Sequence, residues 1–165
     1  MGNQSQGAAM PSKVRTCIAF KDQAEEAARF YVSVIPDSVF EGVFRLQPDG
    51  PALLVSFTLA GTPYQALNMG RDTIHNEAFS ISVMTKDQRE TDALWDKLLA
   101  GGGAEIECSW LKDRYGIHWQ IVPEALPRMF TDDDRAAAGR AFQAMLGMRK
   151  IDLAAVEAAF RGVAP

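Results

Sequence analysis

Cysteine is almost missing from this chain: Cys17 and Cys108 are the whole supply, and they form no CxxC pair or Cys/His cluster. That inventory excludes a disulfide scaffold and a structural zinc site, and it makes a reducing cytoplasm the expected setting. Both thiols are expected in core packing, Cys17 on the first strand and Cys108 ahead of a tryptophan. Histidine is as scarce, with His75 and His118 alone. No long apolar run exists, so no membrane span is expected. An excess of positive charge is also lacking: 17 Lys plus Arg stand against 21 Asp plus Glu, a net charge of −4. Binding to nucleic acid, which requires phosphate neutralisation, is therefore not expected. The segment Met1 to Ser12 has neither a charged nor an apolar stretch, and Gln6 stands where a myristoylation signal needs Ser or Thr. Residues 1–12 read as a tail. A phosphate-binding turn is missing too, since Gly101-Gly102-Gly103 follows a helical pattern instead of opening one.

What is present is an ordinary globular composition: 165 residues, 47% apolar and 23% charged, enough for a single folded domain over residues 13–165. Lys21-Asp22-Gln23-Ala24-Glu25 recurs as Lys86-Asp87-Gln88-Arg89-Glu90, each copy placed between a strand-like run and a helical pattern. The spacing predicts two repeats, about 14–70 and 76–123. In the first, Thr16 to Phe20 is a strand, Asp22 caps a helix that Pro36 stops, and Ala24, Ala27, Ala28, Tyr31, Val34 and Ile35 form its apolar face. Strands follow over Val39 to Leu46, Leu53 to Leu59 and Tyr64 to Met69. In the second, Phe79, Ile81 and Val83 alternate with Ser80 and Ser82, and Asp87 caps a helix carrying Leu94, Trp95, Leu98 and Leu99 that ends at Gly101. Shorter strands over Ala104 to Glu107, Trp110 to Arg114 and Ile117 to Val122 complete it, with Trp119 directed into the core. Two helices over about 131–161, capped by Thr131 and Asp152, close the chain.

This doubled strand-helix-three-strand order resembles the vicinal oxygen chelate superfamily of glyoxalases, bleomycin-resistance proteins and dioxygenases. Gln23 to Ala28 with Phe30-Tyr31, then Ala66-Leu67-Asn68, Cys108 to Gly116, and Trp119 to Pro123 are similar to the PhnB-like branch, which often carries a demethylubiquinone methyltransferase label. The closing Ala144 to Met148 and Lys150-Ile151-Asp152 fit it as well. The resemblance implies an α+β fold in which two βαβββ repeats form a cup-like, mostly antiparallel sheet with a C-terminal helical extension. It also implies a homodimer. By position, the superfamily's metal-ligand places fall on Thr16, Ala66 or Asn68, Asn76 and Gln120, none of which is an imidazole or a carboxylate.

A divalent metal wants such donors, so no cofactor is expected. The expected function is metal-independent binding of a small organic ligand. The ligand-binding candidates are Thr16, Phe20, Asn68, Asn76, Ser80, Ser82, Trp110, Tyr115 and Gln120, with His118 as the one catalytic candidate because imidazole titrates near neutrality. The alternative is a glyoxalase- or dioxygenase-type enzyme, either using His118 as proton carrier or holding a metal through His75, Glu77 and His118. Methyl transfer is the third reading. It would have to work without a Gly-rich turn between strand and helix, because that turn is Lys21-Asp22-Gln23.

Overall fold

The computed structural model describes residues 12–163 and divides into two compact units, which meet in sequence at Thr73 and Ile74. The reading of residues 1–12 as a tail lies, apart from Ser12, outside the described residues.

The first unit runs β1 (Thr16–Phe20), α1 (Ala24–Val34), β2 (Val39–Arg45), β3 (Ala52–Leu59) and β4 (Thr62–Asn68). Its sheet has the order β1-β4-β3-β2, with β1 parallel to β4 and the other neighbours antiparallel. The expected apolar face of α1 is the buried one: Ala24, Ala27, Ala28 and Tyr31 are fully enclosed, together with Val55, Phe57 and Ala66 of the sheet. Three alanines in the first helical turns let the backbone approach the strands closely, and Tyr31 and Phe57 fill the remaining depth.

The second unit repeats the order with β5 (Ile81–Thr85), α2 (Gln88–Leu99), β6 (Ala104–Glu105), β7 (Trp110–Lys112) and β8 (His118–Pro123). Its sheet is β5-β8-β7-β6, again parallel only where the first and last strands meet. Thr91, Leu94, Trp95 and Leu98 are the buried face of α2, and Trp119 and Ile121 are its counterparts on β8. The fold is thus α+β with two βαβββ repeats, as expected. Residues 70–80 precede β5 without strand structure, so Asn76 and Phe79 lie outside the fifth strand. Asn76 Oδ1 accepts from Ala78 N at 2.9 Å, a local turn that competes with extension.

The two helix starts differ despite their shared string. Asp87 caps α2, accepting from Glu90 N at 2.8 Å, while Glu90 accepts from Lys86 N at 2.7 Å. Asp22 makes no cap bond. The N-cap position of α1 is Gln23, and the Ala24 amide is satisfied by Asn68 Oδ1, 2.9 Å away at the end of β4.

The C-terminal extension holds three helices instead of the expected two: α3 (Ala125–Phe130), α4 (Arg135–Leu146) and α5 (Leu153–Arg161). Pro127 falls in the first turn of α3, where its missing N–H has no intrahelical partner to lose. Thr131 ends α3 instead of starting α4. Its hydroxyl donates to Pro127 O at 2.8 Å, and Asp134 caps α4 by accepting from Ala136 N and Ala137 N. Asp152 caps α5 as expected, and Gly162 closes it in the left-handed conformation at φ 73°. Leu126, Met129, Ala141, Ile151 and Val156 form the core of this extension. Gln88 ties it to α2, donating to Ile151 O at 2.8 Å and accepting from Leu153 N at 2.8 Å.

Candidate ligand-binding face

Alternation along a strand sends successive side chains to opposite faces, so one contact between sheet and helix fixes the phase of a whole strand. In the first unit that contact is Asn68 with the N-terminus of α1. The register Thr16↔Tyr64, Ile18↔Ala66 and Phe20↔Asn68 then puts Thr16 and Phe20 on the helix-covered face with it. Phe20 is 2% exposed. The Asn68 amide is fully used, because its Nδ2 also donates to Asp22 O at 3.1 Å and Ala52 O at 3.0 Å. Cys17 takes the opposite face and is exposed, which corrects the expectation that it packs in the core. Cys108 is only half-buried.

Near Asn68 a cavity of about 370 Å³ opens among Asp22, Leu46, Pro51, Ala52 and Leu53. Its rim cation, Lys21, is paired with Asp72 at 2.9 Å. The cavity therefore offers apolar walls, with the Lys21 ammonium and the Asn68 amide at its rim already engaged.

In the second unit the phase is set by Thr85 and Thr91, whose hydroxyls are 2.7 Å apart across β5 and α2. Ile81, Val83 and Thr85 therefore face α2, and so do Trp119 and Ile121 through the register Ile81↔Trp119 and Val83↔Ile121. Ser82, His118, Gln120, Trp110 and Lys112 share the opposite face through Ser82↔Gln120, Trp110↔Gln120 and Lys112↔His118. Gln120 Nε2 donates to Ser80 Oγ at 2.7 Å and so brings the chain before β5 onto this face. His118 is 5% exposed, and its Nδ1 is buried without a hydrogen-bond partner among the described residues. Leaving such a nitrogen unpaired costs about 1–3 kcal/mol, a cost that native interiors rarely tolerate without a reason. Val122, at the end of the same face, packs against the C-terminal helical core.

Tyr115 is buried in the β7–β8 turn, where its hydroxyl accepts from Arg114 Nη2 at 2.7 Å. Beside it the Asp113 carboxylate is 1% exposed and accepts from Tyr115 N, Ile117 N and Trp119 Nε1 at 2.8–3.0 Å. These three donors explain how a carboxylate is tolerated there, and they direct it to the helix side with Trp119. His75 lies in the irregular segment, its Cδ2 3.7 Å from where a Cβ on Gly116 would stand. Glu77 is exposed in the same segment. Strand alternation cannot place His75 and Glu77 on one face, because residues 70–80 are not extended in a ladder.

The superfamily's divalent metal does not fit this donor set. Among the described residues no three His, Cys, Asp or Glu side chains come together, and the face on β8 offers one imidazole, one amide and hydroxyls without a carboxylate. What the face can do is orient a small polar ligand against Trp110 through the hydrogen-bonding groups of His118, Gln120 and the serines. Lys112 shares this face although composition and motif do not single it out. The signal that finds it is the pairing register across the 113–117 turn.

Comparison with known proteins gives a consistent picture. The family model described as 3-demethylubiquinone-9 3-methyltransferase matches residues 12–122. A PhnB protein of Bacillus cereus is similar at 27% identity with a TM-score of 0.61, over 68% of this chain and 99% of that one. A protein of Pseudomonas aeruginosa shares the fold at 15% identity and a TM-score of 0.55, over 68% of this chain and 98% of its own. The fosfomycin resistance protein FosX of Listeria monocytogenes shares it at 13% identity and a TM-score of 0.54, over 74% of this chain and 99% of its own. No curated protein matches the sequence.

Proposed function

We propose, from the premise that the chain belongs to the 3-demethylubiquinone-9 3-methyltransferase family of the vicinal oxygen chelate superfamily, that it binds a small organic ligand without a divalent metal. The observation that carries this reading is the face of β8 away from α2. There the unpartnered His118 Nδ1 lies beside Gln120, Ser80, Ser82 and Trp110 on one side of the sheet. A ligand that hydrogen-bonds there removes the cost of an unsatisfied buried nitrogen while stacking its apolar part on the indole. Methyl transfer, the activity in the family's description, finds little support in the β1–α1 connection Lys21-Asp22-Gln23, which lacks the glycines of a nucleotide-binding turn.

A homodimer and a reducing, cytoplasmic setting belong to the same proposal. Among the described residues no helix is long and apolar enough to cross a membrane. An exposed unpaired Cys17 suits a reducing compartment. The edge strand β2 carries exposed Val39 and Phe44, with exposed Leu46 just beyond it, an apolar margin of the kind a second copy covers. Light scattering at micromolar concentration that returned the monomer mass of 18.1 kDa would count against the dimer.

Native mass spectrometry of freshly purified full chain, with elemental analysis alongside, tests the binding reading. An organic adduct without stoichiometric metal is expected, together with its loss in His118→Leu while the fold persists. Stoichiometric nickel, zinc or manganese that disappears on changing His118 or His75 would replace this reading by a metalloenzyme.

A further inference from the structure

We propose, building on the binding reading above, that Lys112 makes the β7–β8 face selective for an aromatic carboxylate. The geometry begins with the hairpin ladder. Asp113 N donates to Ile117 O at 2.9 Å and Ile121 N to Ser109 O at 3.0 Å, so hydrogen-bonded pairs fall at 113/117 and 109/121. In an antiparallel ladder such pairs alternate with non-hydrogen-bonded ones, whose Cα atoms are closer, about 4.5 Å apart, and whose side chains stand nearest each other. Lys112↔His118 and Trp110↔Gln120 are those non-hydrogen-bonded pairs. The ammonium-bearing stem therefore stands beside the imidazole whose Nδ1 has no partner, with the indole one step along the same face.

The charge is available. Lys112 is exposed, and no carboxylate pairs with it among the described residues. The adjacent carboxylate, Asp113, is turned to the other side of the sheet and held there by donors that include Tyr115 N, Ile117 N and Trp119 Nε1. A ligand carboxylate has two oxygens that only accept, whereas the groups converging here, an ammonium and a ring nitrogen able to carry a proton, can both donate. Trp110 gives a planar body a surface to stack on. A neutral amide of the same shape keeps the stacking and can still accept a hydrogen bond from the ammonium, but it loses the charge–charge attraction, which is worth about tenfold in affinity.

The test titrates matched acid and amide probes, benzoate with benzamide and 2-naphthoate with 2-naphthamide, into nitrogen-15-labelled full chain. The amide signals of Lys112, His118 and Gln120 are followed. The acids are expected to bind about tenfold more tightly than the amides. Lys112→Met should abolish each acid's preference over its amide, and Lys112→Arg should keep the preference. Equal binding of acid and amide, or a preference that survives Lys112→Met, would overturn the proposal and leave the binding reading standing. Probes that shift none of these signals would overturn the proposal, and the binding reading would then stand or fall on the native mass spectrum. Lys112 is exposed, so these variants are expected to fold, and the remaining signals of the same spectra report whether they have.

Discussion

Replacing Asn68 by Ala should destabilise the first unit far more than replacing Asp22 by Ala, although the sequence names Asp22 as the helix cap. The Asn68 side chain makes three hydrogen bonds, accepting from Ala24 N at 2.9 Å and donating to Asp22 O at 3.1 Å and Ala52 O at 3.0 Å. At about 0.5–1.5 kcal/mol net for each bond, their loss amounts to about 1.5–4.5 kcal/mol. The Ala24 residue is fully enclosed, so its amide has little access to replacement water, which favours the upper half of that range. About 3–4.5 kcal/mol is expected, or a fall of roughly 6–18 °C in thermal midpoint for a chain of this length. Asp22→Ala removes a side chain that makes no cap bond and should stay within about 0.5 kcal/mol. Urea denaturation followed by circular dichroism measures both. Equal losses for the two variants would refute the reasoning, because Asp22 would then be the cap and Asn68 a bystander.

Glycine substitutions at two positions should move stability in opposite directions. A Cβ on Gly103 would stand 2.7 Å from Leu99 Cα and 2.9 Å from Lys112 O, both backbone atoms, so Gly103→Ala should cost about 1–3 kcal/mol. A Cβ on Gly139, inside α4, meets nothing within 4 Å, so Gly139→Ala should add about 0.5–1 kcal/mol; a thermal midpoint that falls in that variant would contradict it. The Glu25 carboxyl is held below its ordinary range, first by the hydrogen bond from Arg29 and then by Arg45. A lowered folded value means that the stabilisation is present at neutral pH and is lost as pH falls through that value. Glu25→Gln should therefore flatten the acid limb of the stability profile by up to about 1 kcal/mol, and an unchanged limb would place the acid sensitivity elsewhere.

How far each half of the fold could be read depends on its side-chain chemistry. Around β5, Ser80 and Ser82 alternate with Ile81 and Val83, and the polar set proved to lie away from α2 as the alternation implies. The first strand, Thr16-Cys17-Ile18-Ala19-Phe20, has small or apolar side chains at every position, so period-two patterning gives no phase. Only the tertiary bond from Asn68 to α1 shows which set is inside. The caps divide in the same way. Asp87 and Asp152 act locally and were legible, whereas Thr131 is followed by three aspartates, and the last of them, Asp134, reaches two amides of α4. Pro127 conceals α3 because proline reads as a breaker unless its place in the first turn is known.

The site itself shows a finer limit. His118 and Gln120 can be paired with β7 from sequence once the turn is placed at Gly116, and counting back across it brings Lys112 opposite His118. Which pairs are the close ones cannot be counted, because that depends on which residues exchange backbone hydrogen bonds. A ladder shifted by one residue would send Lys112 to the α2 side and Asp113 to the His118 side, turning a cationic face into an anionic one. The structure excludes that alternative through the Asp113 carboxylate, which is held on the Trp119 side by two backbone amides and an indole. The buried aspartate is therefore a register lock: by holding the turn in one phase it keeps Lys112 paired with His118 on the face away from α2.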